Sequence, residues 1–526
     1  MWRASGALLW GLWGLCGLAA AAGAEPSHEP LSAIDWLSRS VSASAAPPVP
    51  RAEAPGPAAG AQPAAAALPA PGTITMRSLD APSLDGLGLM PAARAGLPRD
   101  LWGVTPSTEL ARLIRAERVD TLPSVQALLY TLLLAELAPP ADSDGSGALF
   151  LARIDKLLDL GALDPAMALL ERVEKPESEL FRRWFDIALL TGREDRACEV
   201  MLKTPEIAPT FPARVFCLAR SGDWNAAALS LRIGETLGYV DRDMAELLER
   251  FLDPELFEGE PDLPPPSRPS PLVFRLMEAI GQPLPTTTLP VAFAQSELRG
   301  KSGWKARLEA GERLARTGAI PANQLLGLYG EREPAASGGI WERVRLVQGL
   351  ERALARGDAA TAARLLPDAW ARMAEVELEV PFASLFGERL DALDLDGEPG
   401  RIAFHAGLLS DAFETVARRH QPAGPRDRFL IALATARVEG IAPPDPMGAA
   451  VLAAFRSPAD LPEDLARLST ERRLGEALLK AIDRITDGAR GDLRNVSEGL
   501  ALLRSLGLET TARRAALELV LLERRG

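Results

Sequence analysis

The chain has 526 residues, 47% of them hydrophobic, which is enough to bury more than one core. Its 71 acidic and 58 basic residues give a net charge of -13. That balance argues against nucleic acid and anionic lipid surfaces as partners, because both attract clustered Lys and Arg.

Arg3 opens the chain with a positive charge, and Gly6 to Leu18 form an uncharged apolar run. Ala22-Gly23-Ala24 fits an A-x-A cleavage site and is followed by Glu25-Pro26. The three parts together predict a secretory signal peptide, residues 1–24, cleaved after Ala24. A membrane span needs about 20 strongly apolar residues, and this run is shorter and rich in Gly and Ala. Trp13-Gly14-Leu15 ahead of Cys16 lacks a lipobox pattern, so Cys16 is expected to leave with the signal. Abundant Ala, Pro and Arg with little Lys suits a GC-rich bacterium, and the expected compartment is the periplasm.

Residues 25–42 contain a short amphipathic segment, "LSAIDWLSRSV", in which Leu31, Ile34 and Leu37 with Trp36 form an apolar island. In residues 43–72, 24 of 30 positions are Ala, Pro or Gly, so that stretch reads as a disordered linker without core-forming residues. An apolar island beyond such a tether has the form of a docking peptide for a partner or for the chain's own body. Residues 73–103 mix apolar residues with Pro and Gly and read as an extended strap anchored by Trp102.

From Ser107 the pattern is helical. Leu180, Trp184, Ile187 and Ala188 fall on one helical stripe, as do Val344, Val347, Leu350 and Leu354, and again Ala512, Ala516, Leu519 and Val520. The best strand signal is "EVELEV", which also reads as a helix ending before Pro381. The Pro-rich stretch at 259–271 suggests a boundary between two helical parts, 104–258 and 272–526.

One phrase recurs: an apolar helix end, a Gly turn, and a second helix with Ala five residues after the Gly. It occurs at Gly161, Gly192, Gly222, Gly357, Gly407 and Gly507, and more loosely at Gly318. Gly supplies the left-handed residue that ends a helix, and the small Ala lets the next helix approach. The phrase resembles the repeats of the tetratricopeptide family, most closely at "RSGDWNAAALSL" with Gly222, Asp223, Trp224 and Ala227. Gly161, Gly192 and Gly222 are spaced 31 and 30 apart, where that family's repeat is about 34. The likeness covers roughly residues 150 to 235 and implies an all-α chain, an α-solenoid of stacked helical hairpins.

Two cysteines lie beyond the signal. Cys198 and Cys217 sit on consecutive expected helices, equidistant from the break at 204–210, so in an antiparallel hairpin they come level. In an oxidising compartment they are expected to form a disulfide with a structural role.

Motifs of chemistry fail their checks. Gly300-Lys301-Ser302 ends like a P-loop, but Gln295 stands where its first Gly belongs. Asp394, Asp396 and Gly397 imitate a calcium loop whose first and last ligand positions are Ala392 and Ala403. Asp142 opens a second imitation that closes on Arg153. Each reads as a turn. The three histidines, His28, His405 and His420, form no zinc pattern.

No catalytic, cofactor or metal residues are therefore expected. The sequence reads as a non-catalytic periplasmic scaffold for cell-envelope proteins, with Leu31, Ile34, Trp36 and Leu37 as candidate contacts. The alternative is a peptidoglycan- or glycan-acting enzyme on an all-α toroid, whose paired carboxylates leave no readable signature. A cleft with facing carboxylates favours the enzyme, and a long groove lined by apolar and Arg side chains favours the scaffold.

Overall fold

The computed structural model describes residues 83–174, 177–456 and 461–522. The expected signal peptide with its cleavage after Ala24, the island carrying Leu31, Ile34, Trp36 and Leu37, and the expected 43–72 linker lie outside the described residues. Among the described residues the chain forms 25 α-helices and one pair of two-residue strands, so it is all-α, as expected.

From Ser83, the stretch expected as a strap contains β1 (Met90–Pro91), which pairs in parallel with β2 (Ala135–Glu136), and α1 (Ala92–Ala95). Trp102 is fully buried and touches Gly475, where an added Cβ would meet the ring at 2.5 Å. α2 (Ser107–Ala116) and α3 (Pro123–Leu134) follow, and then α4 (Ala148–Asp159). Arg153 of α4 is fully buried, and its guanidinium donates to the carbonyls of Leu87 (2.7 Å), Leu133 (2.8 Å) and Ala135 (3.0 Å). Burial lowers its pKa only to about 10, so it stays charged and ties the β1–β2 bridge to α4.

The recurring phrase forms helical hairpins. α4 turns into α5 (Leu163–Leu170) at Gly161, α6 (Ser178–Thr191) into α7 (Glu194–Lys203) at Gly192, and α8 (Phe211–Arg220) into α9 (Trp224–Thr236) at Gly222. α10 (Arg242–Leu252), α11 (Pro271–Ala279) and α12 (Ala294–Glu297) lead to α13 (Trp304–Arg316), which turns into α14 (Ala322–Gly330) at Gly318. α15 (Gly339–Ala355) turns into α16 (Ala359–Ala374) at Gly357. All five of these glycines, and Gly507 near the end of the chain, have φ between 65 and 88°, the left-handed region the phrase requires. The partner alanines Ala166, Ala197, Ala227, Ala362 and Ala512 are all 0–1% exposed.

Gly407 departs from the expectation. It lies inside α18 (Gly397–Leu408), and the chain turns three residues later, ahead of α19 (Phe413–Arg419). An added Cβ there would meet Val416 at 2.8 Å, so this Gly serves helix-to-helix approach rather than a turn. "EVELEV" is a turn that opens α17 (Glu379–Asp391), with Pro381 in the first turn of that helix, where a missing N–H costs nothing.

The remaining helices are α20 (Pro425–Thr435), α21 (Pro446–Phe455), α22 (Glu463–Thr470), α23 (Leu474–Gly488), α24 (Leu493–Ser505) and α25 (Glu509–Leu521). Successive helices pack as neighbours, but the start and end of the described chain also meet. α3 packs on α25 and α2 packs on α23. Both Glu518 carboxylate oxygens accept the Ser124 N–H at 3.0 Å, and Oε2 also accepts its hydroxyl at 2.7 Å. The middle of the chain reaches back to the α4–α5 turn: Gln295 donates to the Gly161 carbonyl at 2.7 Å, and the Thr317 hydroxyl to that of Leu160 at 2.8 Å. Contacts of this range exceed the neighbour-only packing of a simple repeat array. The 259–271 stretch is a loop, after which α11 returns to pack on α6, and Leu247 and Phe274 belong to one apolar cluster.

The α7–α8 hairpin brings Cys198 and Cys217 together with their sulfurs 2.01 Å apart, at disulfide distance. Among the described residues no helix is long and apolar enough to cross a membrane.

Candidate functional site

α9 is apolar on two sides. Ala227, Leu231 and Gly234 face the protein and are buried. Leu229 and Ile233, with Leu237 just past the helix end, fall at i, i+4 and i+8 on the opposite side and are 63%, 45% and 58% exposed. A helix apolar all round is normally covered all round. Trp224 and Tyr239 add exposed aromatic edges, and their rings pack on Phe251 and Phe211. Six of the eight large apolar side chains exposed among the described residues fall between 224 and 256, so the exposure is concentrated rather than scattered.

A second feature is a cleft of about 960 Å³ built where α16, α17, α18 and α20 converge. Trp370 and Glu375 come from the end of α16, Glu379 and Asp391 from the two ends of α17, and Asp394 and Asp396 from the loop before α18. α18 contributes Arg401, Phe404 and His405, the turn after α19 contributes His420, and α20 contributes Arg426 and Asp427. The His420 ring lies flat on Phe404, with centroids 3.6 Å apart and planes 10° from parallel. Its Nε2 is 3.6 Å from Asp427 Oδ2, and that oxygen also accepts the Ala423 N–H at 2.9 Å. Burial, reinforced by Arg401 and Arg426, pushes the His405 imidazole down to about 4, so it is neutral at physiological pH. Burial raises the Asp391 carboxyl above its usual range, although Arg419 lies 3.7 Å away.

This cleft is not the apolar and Arg-lined groove expected of a scaffold, because its charged residues are mostly carboxylates. A smaller cavity of about 480 Å³ shares Ala374 and Glu375 with it and is lined by Arg313 and Arg316 on another side. Among the described residues no group of three or more His, Cys, Asp or Glu could hold a metal ion.

The sequence imitations of motifs find their roles here. Gln295 holds the Gly161 turn, and Asp142 accepts the Ser107 N–H at 2.9 Å at the start of α2. Asp394 and Asp396, read as turn residues, stand on the wall of the cleft, as do His405 and His420. Trp370, Asp391, Arg401 and Asp427 were not singled out by sequence. The one available signal was local crowding, with two of the chain's three histidines and the "DLDG" turn falling within 30 residues. No protein-family model matches the chain, and no curated protein or solved structure matches it.

Proposed function

We propose that the chain is a non-catalytic scaffold of the cell envelope, exported to the periplasm after cleavage at Ala24. Its hairpins would stack in the manner of tetratricopeptide repeats, with the ends tied together through α3 and α25. It would bind a protein partner through the outer face of α9. The observation that carries this reading is the exposed stripe of Leu229, Ile233 and Leu237 on a helix whose other face is already buried. Covering each of these half-exposed side chains is worth about 1–2 kcal/mol, so the three together reach the energy scale of an interaction hot spot. The 31–41 island would add a second contact or occupy a surface of the protein itself.

The test is a periplasmic photo-crosslink from position 233, with the captured protein identified and the pair then reconstituted from purified components. The reading expects a defined envelope protein whose binding falls at least tenfold in Leu229→Asp/Ile233→Asp, with unfolding unchanged. Binding that is indifferent to the double substitution, or no reconstituted pair, overturns it. A companion chain lacking residues 25–72 separates the contribution of the island.

A second reading, glycan cleavage, draws support from one feature. Burial raises the Asp391 carboxyl, which lines a cleft that also carries other carboxylates, and glycoside hydrolysis uses a pair of carboxyl groups of which one is a general acid. Release of soluble fragments from peptidoglycan by the wild type, lost in Asp391→Asn, would favour it over the scaffold.

A further inference from the structure

The cleft between α16 and α20 is large enough for an extended ligand, since sites for drug-sized molecules span about 300–1,000 Å³ and this one measures about 960 Å³. Its walls select for charge. Six carboxylates line it against two guanidinium groups, those of Arg401 and Arg426. Arg401 is partly answered by Glu398, 3.8 Å away on its own helix. Among the six carboxylates, Glu375 has Arg372 at 2.6 Å, Asp391 has Arg419 at 3.7 Å, and Asp427 has His420 at 3.6 Å. Asp394 and Asp396 have no cation within ion-pair distance among the described residues, and both stand exposed at the rim. An anion entering here meets a negative wall and is disfavoured.

The cleft is more than a cluster of acids, because it also offers aromatic surface. Trp370 lines one side, and the His420 ring, stacked flat on Phe404, lines another. The Trp370 ring attracts ammonium and guanidinium groups by cation–π contact, the carboxylates at the rim by charge-assisted hydrogen bonds, and the stacked His420 and Phe404 rings add a flat surface for an aliphatic stem. A bare metal ion is a poorer match, since no group of three ligating side chains converges among the described residues.

We infer that this cleft is a binding site for an elongated organic polycation, its ammonium or guanidinium groups held by Asp394 and Asp396 and its aliphatic stem lying against Trp370 and His420. The same chemistry occurs in a free polyamine and in a peptide segment with spaced Arg or Lys. This site is separate from the α9 face, so either can fail without the other.

The experiment is titration calorimetry of the mature chain with spermidine and with an uncharged-end pentapeptide carrying two arginines, at low and at physiological salt. The inference expects saturable one-to-one binding of at least one probe. Affinity should fall at least tenfold in Asp394→Asn/Asp396→Asn and be unchanged in the distant exposed pair Glu255→Gln/Glu258→Gln. Binding of spermidine as tight as the peptide's assigns the site to free polyamines, and binding of the peptide alone assigns it to a basic segment. Thermal melts of the variants establish that the fold is kept. The inference is overturned if neither probe binds, if both variants weaken binding equally, or if a neutral chitin trisaccharide binds as tightly as the cations and competes with them.

Discussion

Replacing Glu518 with Ala tests whether the two ends of the chain stabilise one another. The carboxylate is 2% exposed and lies at the N-terminus of α3, a helix 394 residues earlier in sequence. It accepts the Ser124 N–H with both oxygens and the Ser124 hydroxyl with one. Pro123 precedes, so the Ser124 N–H is among the orphan donors of the first turn and has no partner within its own helix. Removing the carboxylate leaves two buried donors unsatisfied, at about 1–3 kcal/mol each. It also removes a negative charge from a helix N-terminus, worth about 0.3–1 kcal/mol. The cost of desolvating the carboxylate is recovered, which trims the sum, and the net expectation is a loss of about 3 kcal/mol. Against a total stability of about 5–15 kcal/mol this is large. Urea unfolding at constant m-value reads it directly, with Glu518→Gln expected to lose about half as much because one acceptor remains. A cycle with Ser124→Ala should show a coupling above about 1 kcal/mol. A loss below about 1 kcal/mol for Glu518→Ala, or no coupling to Ser124, would refute the claim that this contact fastens the ends.

Three further substitutions probe other parts of the fold. His405 remains neutral in the folded chain down to about pH 4, whereas the unfolded chain takes up the proton near 6.5, so its contribution is complete above 6.5 and is lost as pH falls toward 4. That amounts to at most about 3 kcal/mol, and His405→Gln should flatten this part of a stability-against-pH curve. Asp186 has the opposite sign: burial raises its carboxyl to about 7, so the folded chain holds a proton the unfolded chain gives up above about 4. Asp186→Asn should therefore stabilise at pH 8, by at most about 4 kcal/mol, and change nothing at pH 3; stabilisation equal at both pH values would contradict the assignment. Cys198→Ser/Cys217→Ser should lower stability by about 3 kcal/mol, and reductant should bring the wild type to the same midpoint but leave the variant where it is.

How far the sequence could be read depended on the range of the interaction. The turn glycines were legible because their chemistry is local: a left-handed residue must end the helix, and the Ala five positions on is carried into the contact by the same turn. Gly407 carries the same letters but answers to Val416 on the next helix, and no local pattern distinguishes a glycine that turns the chain from one that admits a neighbour. Cys198 and Cys217 were legible for the same local reason, as symmetric positions on one hairpin. Glu518 and Ser124 were not, since an acid on a C-terminal amphipathic helix reads as solvated until another element closes over it. The cleft failed to show for a related reason. Its carboxylates come from α16, α17, the loop after it and α20, and each is an ordinary surface acid within its own element. On α9 the sequence displayed the apolar content but not which face the body covers. Only packing separates Leu231, which is 2% exposed, from Leu229 and Ile233, which still face solvent. The two candidate surfaces of this chain are therefore defined by what packing leaves unanswered. Here that is an uncovered stripe on one helix and an excess of carboxylates around one cleft, and both become visible only when burial is known.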